Sequence, residues 1–312
     1  MTTTAYGRLK TRRPSPHREA SKELKALRPG IPRVPLQPSR GKRGILWFAV
    51  VGRSVRIRCD DAGIRDLLAS YYGGMLQPGS RLGADLEYRV ASVDGESRVY
   101  RGAREIGRAR SPGAVLFLLK QDLVVEIQRS RPELYFLHAA VLEREGRALI
   151  LVAESGGGKS TTTWALLHHG FHYGSDELAP VEPATRRVQG FPSALCLKSD
   201  PPDSFPLPTG AIRTPEAVHV PVAALPAPLA QLPSPLAAIF FVRYRPGTEH
   251  PVVTEIGAAE AGARLFAQAL NALAHPHEGL DAAIDLARGS RCFSLATGDL
   301  RATSRLVVEA CC

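Results

Sequence analysis

Residues 148–163 read Ala-Leu-Ile-Leu-Val-Ala-Glu-Ser-Gly-Gly-Gly-Lys-Ser-Thr-Thr-Thr, and few folds admit such a stretch. Its apolar run, Leu149 to Val152, has the character of a fully buried parallel strand. Gly156, Gly157 and Gly158 lack a Cβ, so the backbone there can take positive φ and turn its N–H groups inward. Lys159 adds a mobile cation and Ser160 a hydroxyl. A helix starting here would point its positive end at the same spot. Strand, glycine turn, lysine, hydroxyl and helix stand in the order that holding a polyphosphate and its metal ion requires. The general pattern is G-x-x-x-x-G-K-[S/T]. Gly158-Lys159-Ser160 satisfy its end, and Ala153 takes the place of its first glycine.

The chain has 312 residues, 44% hydrophobic and 22% charged, which suits about two domains. No apolar run approaches the ~18 residues of a membrane span, and the N-terminus lacks the apolar core of a secretory signal. The five cysteines (Cys59, Cys196, Cys292, Cys311 and Cys312) are odd in number and lack metal-ligand spacing. They read as reduced thiols in a cytoplasmic protein. Charge is concentrated at one end. Residues 1–43 hold twelve Lys or Arg against Glu19 and Glu23, a net +10, and the remaining 269 residues balance 28 basic against 28 acidic. The six prolines and few large apolar residues of 1–43 predict a disordered basic tail. A neutral body gives no reason to expect nucleic acid as a partner.

Residues 44–130 read as a small α+β domain with a substrate- or partner-binding role. Ile45–Val51 and Val55–Cys59 form a hairpin pattern around Gly52-Arg53. Residues 63–72 have helical spacing, with Ile64, Leu67, Leu68 and Tyr71 on one face. Leu86–Val93 and Ser97–Tyr100 are strand patterns joined at Asp94-Gly95. Ser111-Pro112 open a long helix that buries Val115, Leu116, Leu119, Leu123, Val124 and Ile127.

Residues 131–312 carry the chemistry. A largely apolar strand, 135–142, is interrupted by His138, and a turn at Glu145-Gly146 leads into the phosphate-loop strand. The helix after Lys159 stops at Gly170, a left-handed cap. Phe171–Tyr173 form a short strand with Asp176 and Glu177 just beyond it. Carboxylates beside a phosphate loop hold magnesium or accept a hydroxyl proton. Neighbours on a strand point to opposite faces, so each acid does its own job unless the chain bends. Residues 200–235 hold ten prolines and read as a surface excursion near the acceptor site. Further expectations are a core strand at 236–245, helices at 258–273 and 278–287, a strand at 291–295, and a helix at 298–309 capped by Thr297. His275-Pro276-His277 lacks a third ligand nearby and reads as a loop. Asn271 and Arg243 are candidate neighbours of the site.

His138, then Glu154-Ser-Gly-Gly-Gly-Lys-Ser160, then a helix ending at Gly170, then Ser175-Asp176-Glu177 resembles the HPr serine kinase superfamily, which is related to phosphoenolpyruvate carboxykinase. Phe191–Lys198, Pro235–Arg245 and Cys292–Leu295 are similar to later elements of HPr-kinase-like proteins, including kinases of lasso-peptide precursors. The likeness covers roughly residues 135–310. It implies an α/β C-terminal domain of HPr-kinase type and an ATP- and Mg2+-dependent transfer of the γ-phosphoryl group to a hydroxyl. The acceptor it implies is a serine of a peptide or protein. Glu154, Ser155, Gly156, Gly157, Gly158, Lys159, Ser160 and Thr161 would hold the nucleotide, and Ser160 and Glu177 the metal. Asp176 would accept the hydroxyl proton, Lys159 would bond the β- and γ-oxygens, and His138 would orient the acid or touch the γ-phosphate. The glycine-rich signature of true HPr kinases is missing after the acid pair, so HPr itself is not the expected acceptor. A small-molecule hydroxyl kinase and a nucleotide-dependent binding protein are the alternatives, and a homo-oligomer stays open.

Overall fold

The computed structural model describes residues 44–79, 83–248 and 250–311. The tail expected over 1–43, and Cys312, lie outside them. The described residues are a mixed α/β structure within one compact unit. Among them, no helix is long and apolar enough to cross a membrane.

The first region is a five-stranded sheet in sequence order, with two helices. β1 (Ile45–Val50) and β2 (Arg53–Cys59) form the expected hairpin. Helix α1 (Ala62–Tyr71) starts on Asp61, whose carboxylate accepts from the Ile64 N–H, and buries Ile64, Leu68 and Tyr71. β3 (Leu86–Val93) and β4 (Glu96–Arg101) meet at Asp94-Gly95, both with positive φ. β5 (Arg104–Ala109) was not expected. It is an edge strand, and its Arg-Glu-Ile-Gly-Arg-Ala has almost no apolar alternation to reveal it. Helix α2 (Pro112–Ser130) begins at the Ser111 cap with Pro at its first turn. It buries Val115, Leu116, Leu119, Leu123 and Ile127, while Val124 stays half-buried. The core of this region does not end at residue 130. Leu134, Phe136, Leu178, Phe191 and Ala194 are buried in the same cluster.

The second region opens with β6 (Tyr135–Leu137), β7 (Ala139–Arg144) and β8 (Arg147–Val152). The expected strand 135–142 is two strands, broken at His138, whose N–H donates to the Gln268 carbonyl. Helix α3 (Lys159–Leu167) and β9 (His172–Ser175) follow, then β10 (Ala179–Glu182), β11 (Arg187–Val188) and β12 (Leu195–Leu197). β13 (Ile212–Arg213) and β14 (Val218–Val220) pair with β12 in a three-stranded sheet. The proline-rich segment is therefore not a simple surface excursion. It buries Phe205, Val218 and Val220, because its prolines flank β14 and leave Val-His-Val free to pair.

The chain continues as β15 (Ser234–Tyr244), β16 (Val252–Glu255), α4 (Ala258–Phe266), α5 (Leu280–Arg288), β17 (Arg291–Thr297) and α6 (Leu300–Cys311). β8 sits inside the large sheet, antiparallel to β7 and parallel to β15, and β15 is parallel to β17. Alternate residues explain the unbroken apolar runs. Leu149, Leu151, Phe240 and Val242 pack towards α3 and α6, while Ile150, Val152, Ile239 and Phe241 pack towards α4 and α5. A sheet covered on both faces needs apolar side chains at every position.

Three helix boundaries differ from expectation. α4 ends at Phe266, not 273, because the chain turns back onto the free edge of β6. There the Leu270 N–H donates to the Phe136 carbonyl. α5 starts at Leu280, since His277, Glu278 and Gly279 all have positive φ. α6 is capped by Asp299, whose carboxylate accepts from the Ala302 N–H, and not by Thr297.

The Asn271 amide latches this return. Its oxygen accepts from the Phe136 N–H at 2.9 Å and its Nδ2 donates to the Leu134 carbonyl at 2.8 Å. Stranding buried backbone groups costs about 1–3 kcal/mol. Asn271→Ala should lower stability by about that amount in urea denaturation, with the ligand affinity of the folded protein unchanged.

Candidate functional site

Three parallel strands, β8, β15 and β17, end at one edge of the sheet, where the glycine loop, Tyr244 and Thr297 stand together. The carboxyl ends of parallel strands are where such sheets bind ligands. Gly156 and Gly158 have φ of 84° and 92°. The loop is tied inside by the Gly157 N–H to the Glu154 carbonyl, 2.8 Å, and outside by the Tyr244 N–H to the Gly157 carbonyl, 2.9 Å. A Cβ on Gly157 would meet the Ala153 methyl at 3.0 Å. The alanine at the pattern's first position therefore fits because its neighbour across the turn is glycine.

The two acids reach the same space because the chain bends. The Ser175 hydroxyl accepts from the N–H groups of Glu177, 3.1 Å, and Leu178, 3.0 Å, which ends β9 and turns Asp176 and Glu177 towards the loop. Asp176 is only 4% exposed and Lys159 9%. The Lys159 ammonium donates to Asp176 Oδ1 at 2.9 Å and also to the Asp176 carbonyl. Asp176 Oδ2 accepts from the Cys196 N–H at 3.2 Å. Glu177 Oε2 is 3.0 Å from the Lys120 ammonium, which arrives from α2. Burial opposes the Lys120 charge, but the nearby carboxylates, Glu177 first, outweigh it and hold the amine above its usual range. His138 shifts the other way. Burial, then the Lys159 ammonium, depress its pKa below 6.5, against the pull of Glu177 and Asp176, so the ring is neutral at pH 7.

These groups line one cavity of about 760 Å³. It brings together the predicted His138, Glu154, Ser155, Gly156, Gly158, Lys159, Ser160, Thr161, Asp176 and Glu177, with Gly157 contributing backbone to the loop. Arg243 and Asn271 are not among its lining residues, and Asn271 is committed to Phe136 and Leu134. His275 is spent on the Leu134 carbonyl region and His277 on Asp281. Among the described residues, no group of three or more His, Cys, Asp or Glu side chains is arranged to hold a metal ion.

Several lining residues escaped sequence reasoning. Lys120 follows Leu116 by four residues and shares its helix face, but the apolar pattern of α2 drew attention away from it. Lys198 donates to the Ser155 hydroxyl at 2.5 Å. Cys196 Sγ lies 3.0 Å from His219 Nδ1. Burial pushes that thiol up to about 12, so it is not a thiolate at neutral pH. Cys196 lies on β12 and Lys198 directly follows it, while His219 lies on β14 within the proline-rich segment. No family model matches the chain, and no curated protein matches its sequence.

Gly158 combines a close approach with a left-handed backbone. A Cβ there would stand 3.1 Å from the Tyr244 Cβ, and its φ lies where L-residues lose about 1–2 kcal/mol. Gly158→Ala should lower stability by at least that amount in chemical denaturation, whereas Gly146→Ala, with no neighbour within 4 Å, should cost only the φ strain.

Proposed function

We propose that the chain is a magnesium-dependent kinase of HPr-serine-kinase type, transferring the γ-phosphoryl group of ATP to a hydroxyl, most simply a serine of a peptide or protein. The observation that carries this reading is the buried Lys159–Asp176 pair, which joins the glycine loop to a carboxylate inside one cavity. A lysine that neutralises phosphate and an acid that accepts a hydroxyl proton are the two side chains such a transfer needs most.

The residues fit the cofactors on chemical grounds. Left-handed glycines at 156 and 158 let backbone N–H groups face a polyphosphate, and the start of α3 adds its positive end. Ser160 and Glu177 supply hard oxygen donors on the same cavity, and Glu177 already holds a cation, the Lys120 ammonium. A bound magnesium ion would neutralise charge on the β- and γ-oxygens. Within the chain, Lys159 would exchange Asp176 for those oxygens. Asp176 would then be free to take the proton of the incoming hydroxyl. His138, neutral beside both acids, would hold their orientation. Helix α2 supplies Leu116, Phe117 and Lys120 to the wall, which favours an acceptor that also touches residues 44–130. A free metabolite would not need that wall.

Mass spectrometry of serine-containing peptides, including a lasso-type precursor, after incubation with the protein, ATP and magnesium tests this. The expected result is a gain of one phosphate. Lys159→Ala should abolish it, and Asp176→Asn should abolish it while nucleotide binding persists. Normal turnover in Asp176→Asn would remove the base assignment.

A further inference from the structure

The cavity has two ends, and the proposed chemistry occupies one. Asp176, Glu177, His138 and Lys120 gather on the side of β7 and β9. β15 and β17 lie on the opposite side of the phosphate-loop strand, and both run parallel to it. In-line phosphoryl transfer sets acceptor and leaving nucleotide on opposite sides of the moving group. With the acids on the acceptor side, the nucleoside has to leave the loop towards the ends of β15 and β17.

Tyr244 stands there. It is the last residue of β15 and is 50% exposed, following the exposed Arg243 at the end of a strand whose residues Ala238 to Val242 are buried. It lines the cavity, and its Cβ would touch a Cβ placed on Gly158. Its backbone N–H is fixed to the Gly157 carbonyl, so its Cα and Cβ, from which the ring projects, keep a constant position relative to the loop. Thr297, from the end of β17, closes the same corner, with its hydroxyl 3.5 Å from that Gly158 position. An exposed aromatic ring anchored beside a phosphate cradle is the arrangement that stacks a nucleobase.

We propose that Tyr244 is the platform for the base of the nucleoside triphosphate, a base-stacking residue at the end of the cavity away from the acids. This rests on the kinase reading for the direction of the nucleotide. Stacking uses the π-face that every base carries, so ATP and GTP should bind within a few-fold of each other.

Calorimetric titration of the full-length protein with magnesium ATP and with magnesium tripolyphosphate, which has no base, separates the possibilities. Wild type should bind ATP about ten-fold or more tighter than tripolyphosphate. Tyr244→Ala should remove most of that difference and leave tripolyphosphate affinity unchanged, while Tyr244→Phe should keep it. Equal losses for both ligands would mean that the substitution disturbs the loop, and an unchanged ATP affinity would place the base elsewhere; either overturns the assignment. Failure of wild type to bind both ligands would overturn the kinase reading as well.

Discussion

The site depends on the burial of one ammonium group. Lys159 is almost out of contact with water, and a charge in that position is tolerated only when paired and hydrogen-bonded. Asp176 meets the requirement with both its carboxylate and its carbonyl oxygen. Removing one partner of such a pair costs about 3–5 kcal/mol, since the other is left uncompensated. The second pair, Lys120 with Glu177, repeats the arrangement one residue further on. In these two pairs each cation meets an anion, and His138 beside them is kept neutral by burial and by Lys159. A polyphosphate with its metal brings both signs of charge and so can exchange partners with this set without leaving any ion alone.

The scaffold makes the pairing possible from several distant parts of the chain. β8 delivers the loop, the Ser175 bend delivers both acids, and α2 delivers Lys120. The shared core explains why α2 can be trusted with that position. Leu134, Phe136, Leu178 and Phe191 pack into the same cluster as Leu116 and Leu119, so the first region is fixed against the second by buried apolar contact.

Much of this was legible in the sequence where local chemistry is strong. The loop declares itself through three glycines, a lysine and a hydroxyl. The hairpin around Gly52, expected to turn at Gly52-Arg53 and turning one residue earlier at Val51-Gly52, the turn at Asp94-Gly95 and the Ser111-Pro112 helix start are dictated by a few residues each. What stayed hidden depends on partners far along the chain. β5 is specified by pairing with β4 and not by its own pattern. The early end of α4 is imposed by the open edge of β6, and the strand in the proline-rich segment by β12. Lys120 could be read only as one polar residue in an apolar helix, because its partner lies 57 residues away. The expectation that adjacent acids would diverge gave way to a single hydroxyl, that of Ser175, accepting two backbone N–H groups.

The exchange of partners by Lys159 is the central claim, and a crystal structure with magnesium and a non-hydrolysable ATP analogue tests it most directly. The proposed mechanism requires the Lys159 ammonium to leave Asp176 for the phosphate oxygens, with the Asp176 carboxylate facing the γ-phosphoryl group and the metal on Ser160 and Glu177. A triphosphate bound away from the glycine loop, or one seated there while Lys159 stays on Asp176, would contradict it.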